Sequence, residues 1–235
     1  MRRLVAFIVA AVILIPLAAQ AALVDLALCI DGSGSISSSN FNLQKDAYVS
    51  VLNNASVLPR DGSVAVAVYL FSADVIQVYD LTVIDNTTIS GLISAINGMT
   101  QTGGLTDIAG AIDAARDELL SDPDGRSAAD KIIDVSTDGI QTVPGDPAAA
   151  ATNAIALGID YVNGLGIGPG ANLSWVPTGS NKWMVDSFDD FEDTLEDKIV
   201  TETGGVIPEP ATLLLLGSGL LGLGGLSFRK RKQKA

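Results

Sequence analysis

The stretch Asp31-Gly32-Ser33-Gly34-Ser35 places one carboxylate and two hydroxyls at alternate positions, separated by glycines. Glycine lets the backbone fold tightly, so alternate side chains can converge on one point. Every donor offered there is a hard oxygen, which suits Mg²⁺, Ca²⁺ or Mn²⁺ rather than zinc or copper. A plain strand-to-helix loop, capped by Ser37, Ser38 or Ser39, is the simpler reading of the same residues. Other chemistries are narrowed by composition. The chain has no His, which removes the usual general base and any His-ligated metal. Its single Cys, Cys29, lies in an apolar run and reads as a small buried hydrophobe.

The elements that position these residues follow from hydrophobic period. Val24 to Ile30 is a short apolar run that reads as a buried strand ending at Asp31. A helix is predicted over 38–57, then strands over 63–71 and 75–79 joined as a hairpin with an edge strand. Asn86 or Thr87 is expected to cap a second helix, and 107–120 to form a third. Residues 131–136 form a strand ending near Asp138. An Ala-rich helix over 147–157, strands at 161–167 and 183–185, and a final helix over 188–200 complete the chain. The Gly/Pro-rich segment 168–181 reads as a surface loop. Strands alternating with helices imply an α/β fold, doubly wound, with a mostly parallel central sheet, helices on both faces and one antiparallel edge strand. Ligands of such sheets bind beyond the carboxyl ends of the strands, at the switch point in strand order, and Asp31 and Asp138 both lie at strand ends.

Asp31-Gly32-Ser33-Gly34-Ser35 resembles the first loop of the metal-ion-dependent adhesion site of von Willebrand factor A (vWA) domains. The second loop of that pattern is similar to Gly103-Gly104-Leu105-Thr106-Asp107-Ile108-Ala109-Gly110-Ala111-Ile112, where alignment on Ala111-Ile112 puts the ligand threonine at Thr106. Leu105 departs from the commonest form of the motif, which leaves Thr102 as a second candidate. The third loop is similar to Val135-Ser136-Thr137-Asp138-Gly139. The resemblance implies that Ser33 and Ser35 bind the cation directly and that Thr106 binds directly or through water. It implies that Asp31 and Asp138 hold metal-bound waters and balance the charge, and that one open position accepts a partner's Asp or Glu. The nearby Asp107 and Asp134 read as a helix-start charge and a strand-edge charge.

The two ends read as addresses. Residues 1–21, with Arg2 and Arg3 before an apolar stretch and Ala19-Gln20-Ala21 at its end, fit a cleaved secretory signal peptide. The vWA-like domain is then expected over 22–204. Ile207-Pro208-Glu209-Pro210-Ala211-Thr212 and the Leu/Gly-rich run behind it resemble the PEP-CTERM sorting signal of Gram-negative bacteria. The expected parts are a sorting motif at 205–210, a transmembrane segment at 211–228 and a basic cytoplasmic tail at 229–235. Exosortase is the processing partner that this resemblance implies. Between the two ends the chain carries 7 Lys+Arg against 26 Asp+Glu, which repels nucleic acid and favours cations and basic partners.

Together these features suggest an exported, non-enzymatic adhesion module, sorted to the cell surface or extracellular polymer matrix. Its divalent cation would bind an acidic residue of a protein partner, or an extracellular polysaccharide. An acidic matrix component with a merely stabilising metal is the alternative. Metal-assisted hydrolysis is disfavoured, because no His and no nucleophile–base pair stands near the motif.

Overall fold

The apolar run behind Asp31 forms β1 (Val24–Asp31), buried along its whole length. A strand apolar on both faces belongs inside a parallel sheet. In the computed structural model, which describes residues 23–121, 125–126 and 129–204, β1 pairs in parallel with β2 (Asp61–Phe71) on one side and β4 (Asp130–Thr137) on the other. Outside β4 lie β5 (Tyr161–Ile167) and β6 (Lys182–Val185), both parallel. At the other edge β3 (Val75–Asp85) runs antiparallel to β2. The order β3-β2-β1-β4-β5-β6 places the switch point between β1 and β4, the two strands that end at Asp31 and just before Asp138. The fold is the vWA-like α/β arrangement expected.

Alternation along β1 divides the core into two layers. Leu26, Leu28 and Ile30 pack with α1 (Ser38–Leu52), α2 (Ile89–Asn97) and α5 (Phe191–Thr203) through Tyr48, Leu92, Phe191 and Leu195. Ala27 and Cys29 face α3 (Ile108–Ser121) and α4 (Pro147–Leu157), meeting Ile112, Ala115 and Ala151. Cys29 is fully buried, and burial pushes its thiol well above the ordinary value, as suits a packing residue.

Several boundaries differ from expectation. Helix α1 stops at Leu52, because Asn54 Oδ1 accepts from Ser56 N at 3.0 Å and offers the backbone a turn in place of another helical turn. Strand β3 continues to Asp85, whose Oδ1 accepts from the N–H groups of Thr87 and Thr88 and so moves the start of α2 to Ile89. The final helix is a 3-10 turn, Phe188–Asp190, followed by α5. Segment 168–181 is a loop, yet Leu173, Trp175 and Val176 are buried over β5, where a Cβ on Gly164 would come within 2.8 Å of Val176.

Asp134 is not a strand-edge charge. It is fully buried and ion-paired with Lys198 of α5, which also donates to Glu202 Oε2 at 3.0 Å. Asn163 of β5 donates to Glu202 Oε1 at 2.8 Å, and Lys198 Nζ lies 5.5 Å from the centre of the Trp183 ring. Sequence period missed this cluster because its members come from four separate elements, β4, β5, β6 and α5.

The expected signal peptide, sorting motif, transmembrane segment and basic tail lie outside the described residues. Among the described residues no helix is long and apolar enough to cross a membrane.

Candidate metal centre

β1 delivers Asp31 to the carboxyl edge of the sheet, and the glycines behind it turn the chain at once. Gly32 donates to Phe71 O at 2.8 Å, at the end of β2, and a Cβ there would come within 2.7 Å of Leu70 Cδ1. Asp31 Oδ1 accepts from Ser33 N at 2.8 Å, which curls the loop back over the carboxylate. The hydroxyls of Ser33 and Ser35 then stand 3.0 Å apart, and Ser35 Oγ donates to Asp138 Oδ1 at 2.6 Å across 103 residues of sequence. The first and third stretches therefore meet.

The second stretch is fastened to the first through its backbone. Gly103 N donates to Gly32 O at 2.8 Å, and Gly34 N donates to Gly104 O at 2.9 Å. Gly103 and Gly104 have φ of +69° and +82°, a left-handed turn that other residues adopt only with strain. Gln101 Nε2 adds bonds to Ser33 O at 3.1 Å and Ile36 O at 2.7 Å. Thr106 is buried, and its N–H donates to Thr142 Oγ1 at 2.7 Å, whereas Thr102 is exposed. Asp107 Oδ1 accepts from Gly110 N at 2.9 Å and so serves the start of α3, in keeping with a helix-start charge.

Thr137, Gln101 and Gln44 were not singled out in the sequence. Thr137 Oγ1 donates to Asp31 Oδ2 at 2.6 Å, and Gln44, buried on α1, donates to Asp31 O at 3.0 Å. The signal for Thr137 is register: Ile30 pairs with Ser136, so the next residues along, Asp31 and Thr137, are neighbours. Burial raises the pKa of Asp31 to about 6. The bonds from Thr137 and Ser33 oppose that rise, and nearby Asp138 adds to it. A buried carboxylate next to another favours a cation between them. Among the described residues no three His, Cys, Asp or Glu side chains gather as a metal site; at this edge the acids Asp31 and Asp138 stand with the hydroxyls of Ser33, Ser35 and Thr137. Two carboxylates and a group of hydroxyl oxygens fit a hard divalent cation.

The family model for the von Willebrand factor type A domain matches residues 25–182. The chain belongs to this family. A second model, the PEP-CTERM protein-sorting motif, matches residues 206–232. Among solved structures, the vWA chain is similar to proximal thread matrix protein 1 from the mussel byssus, at 22% identity and a TM-score of 0.65, over 77% of this chain and 48% of that one. A structure of the same mussel protein with a zinc-occupied MIDAS (metal-ion-dependent adhesion site) motif matches at 21% identity and a TM-score of 0.65, with the same coverage. An aerotolerance-related membrane protein from Bacteroides fragilis matches at 17% identity and a TM-score of 0.58, over 77% of this chain and 98% of that one. The chain spans about half the length of the mussel protein. At these identities the structural likeness is one of fold. The vWA family with its adhesion motif points to a divalent cation, and the sorting motif indicates export, exosortase processing and delivery to the cell surface or matrix.

Proposed function

We propose that this vWA domain is an exported binding module in which Asp31, Ser33, Ser35, Thr106 and Asp138 hold one divalent cation, Mg²⁺ by the chemistry of the donors. Bound there, the cation would supply an electrophilic position for a carboxylate from a partner protein. The observation that carries this reading is the hydroxyl–hydroxyl–carboxylate chain of Ser33, Ser35 and Asp138, drawn from two strands on either side of the switch point. The residues divide the work by depth. Asp31 is buried and each of its carboxylate oxygens accepts one bond, so it orients the loop and supplies charge from beneath. Ser35 is exposed and Asp138 partly so, which leaves them where a partner reaches. The chain has no His, and the carboxylates at the site, Asp31 and Asp138, are the ones this reading assigns to the cation, so the arrangement favours capture over turnover.

Calorimetric titration of Mg²⁺, Mn²⁺ and Ca²⁺ into the full-length protein and its Asp31→Ala variant tests the reading. Concentrations on the order of millimolar are needed, the range of weak extracellular oxygen-ligand sites. Binding of one cation to the protein, absent in the variant, is expected. Equal heats from both proteins, or none from either, would overturn it. Cation binding that raises stability while no partner is found would favour the stabilising matrix role.

A further inference from the structure

The buried trio of Asp134, Lys198 and Glu202 takes no part in cation capture, yet it holds an amine against a carboxyl group. Register sets Asp134 of β4 between Leu28 of β1 and Asn163 of β5. Lys198 reaches it from α5 and makes its ion pair there. The same Nζ donates to Glu202 Oε2 at 3.0 Å, so it stands between two carboxyl groups. Asn163 fixes the second of them. Its Oδ1 accepts from Asn181 N at 2.8 Å, which turns Nδ2 toward Glu202 Oε1, also at 2.8 Å. Fully buried Leu28 and the Trp183 ring, whose centre is 5.5 Å from Nζ, keep the surround apolar. Asp134 Oδ1 accepts no hydrogen bond among the described residues, so the ionised form is poorly held and the neutral acid is favoured. In keeping with this, burial lifts the pKa of Asp134 to about 7.

We propose that Lys198 and Asp134 close into an intramolecular amide, Nζ to Cγ, with Glu202 carrying the protons. The reacting state holds Asp134 as the acid, Lys198 as the ammonium and Glu202 as the carboxylate. Glu202 takes one proton from Nζ, and the freed amine pair attacks Cγ. The bond from Cγ to the hydroxyl then breaks. Glu202 gives its proton to that hydroxyl, which leaves as water, and takes the remaining surplus proton from Nζ. The products are one amide, one water and a protonated Glu202, so atoms and charge balance with no oxidant or co-reactant. Fixed contact between the reacting groups supplies the proximity that amide formation lacks between free molecules. Burial favours the amine, but Asp134 and Glu202 outweigh it and raise the pKa of Lys198, so the amine is scarce and closure is slower than folding. The freshly made domain therefore carries three ionisable groups, and the closed domain an amide and one carboxyl. Closure ties the central strand β4 to α5, the helix that precedes the sorting motif.

The test is the intact mass of the full-length protein, denatured after long incubation near neutral pH and compared with the mass its assigned termini give. A mass lower by one water is expected. A tryptic digest should contain one branched peptide that is uncut after Lys198 and includes Asp134. Lys198→Arg and Glu202→Gln keep polar partners in the cluster, and each should fold, by circular dichroism, at full mass and without the branched peptide. Full mass in the folded parent protein overturns the proposal, whether or not a variant folds. So does loss of water without the branched peptide, the sign of a cyclised Asp-Gly pair such as Asp138-Gly139, or loss that persists in Lys198→Arg. Closure at an unchanged rate in Glu202→Gln overturns the proton-carrying role of Glu202.

Discussion

At the scale of single residues, the buried cluster of Asp134, Lys198 and Glu202 sets two carboxylates against one ammonium. Burial lifts the pKa of Asp134 to about 7; Lys198 pulls it down and Glu202 pushes it further up. The native state thus holds the Asp134 proton more tightly than the unfolded chain, where an ordinary Asp releases it near pH 4. Its contribution to stability is full below that pH and is lost as pH rises to about 7. Urea midpoints should accordingly fall across this window, and Asp134→Asn should flatten the fall. A rising midpoint would mean that Lys198 keeps Asp134 ionised throughout. Lys198→Met strands both carboxylates, and a loss of about 3–5 kcal/mol is expected at neutral pH, with Asp134→Asn restoring part of it. None of this cluster was legible in the sequence, because an isolated Asp in a strand looks the same whether it faces water or a lysine 64 residues away.

At the scale of elements, the metal loops depend on close backbone approach. A Cβ on Gly34 would sit 3.1 Å from Gly104 O and 3.2 Å from Gly104 N, against backbone rather than a side chain that can swing aside. Gly34→Ala should therefore part the first two loops and weaken Mg²⁺ uptake about tenfold. The sheet beneath is untouched, so the thermal midpoint should move by no more than about 2–4 °C, the scale of 1 kcal/mol in a domain of this size. Calorimetry and a thermal scan of the same sample separate the two effects. The strands themselves were readable from apolar runs, since β1 and β4 are buried on both faces. Element ends were less so, because Asn54 and Asp85 redirect the chain through side-chain bonds that period does not encode. In the centre, Asp31, Ser33, Ser35 and Asp138 were legible as oxygen donors at strand ends. Their supports Thr137, Gln101 and Gln44 depend on cross-strand register and long-range packing.

At the scale of the whole molecule, the acidic excess should make stability depend on salt. Screening shortens the reach of self-repulsion to about 10 Å at 0.1 M. The thermal midpoint of the metal-free protein should rise between low and moderate NaCl, and a flat profile would mean that repulsion among the exposed carboxylates is too weak to count against folding. The chain's geometry has a further consequence. α5 begins at Phe191, just past the turn whose Phe188 lines a cavity with Asp138, and runs back to Thr203, whose hydroxyl donates to Val57 O at 2.9 Å, near the start of β2. On the reading proposed above, a partner would grip the domain at one pole, and the chain continues toward its sorting motif from the other. Tension between such a partner and the far end would run along β1 and β4, loading their parallel ladders in shear so that the bonds resist together. α5 lies in series with them, fastened by Lys198 to the sheet and by Thr203 at its foot. That makes the salt cluster, with the buried seam of Phe191, Leu195 and Ile199, the joint through which α5 would carry load.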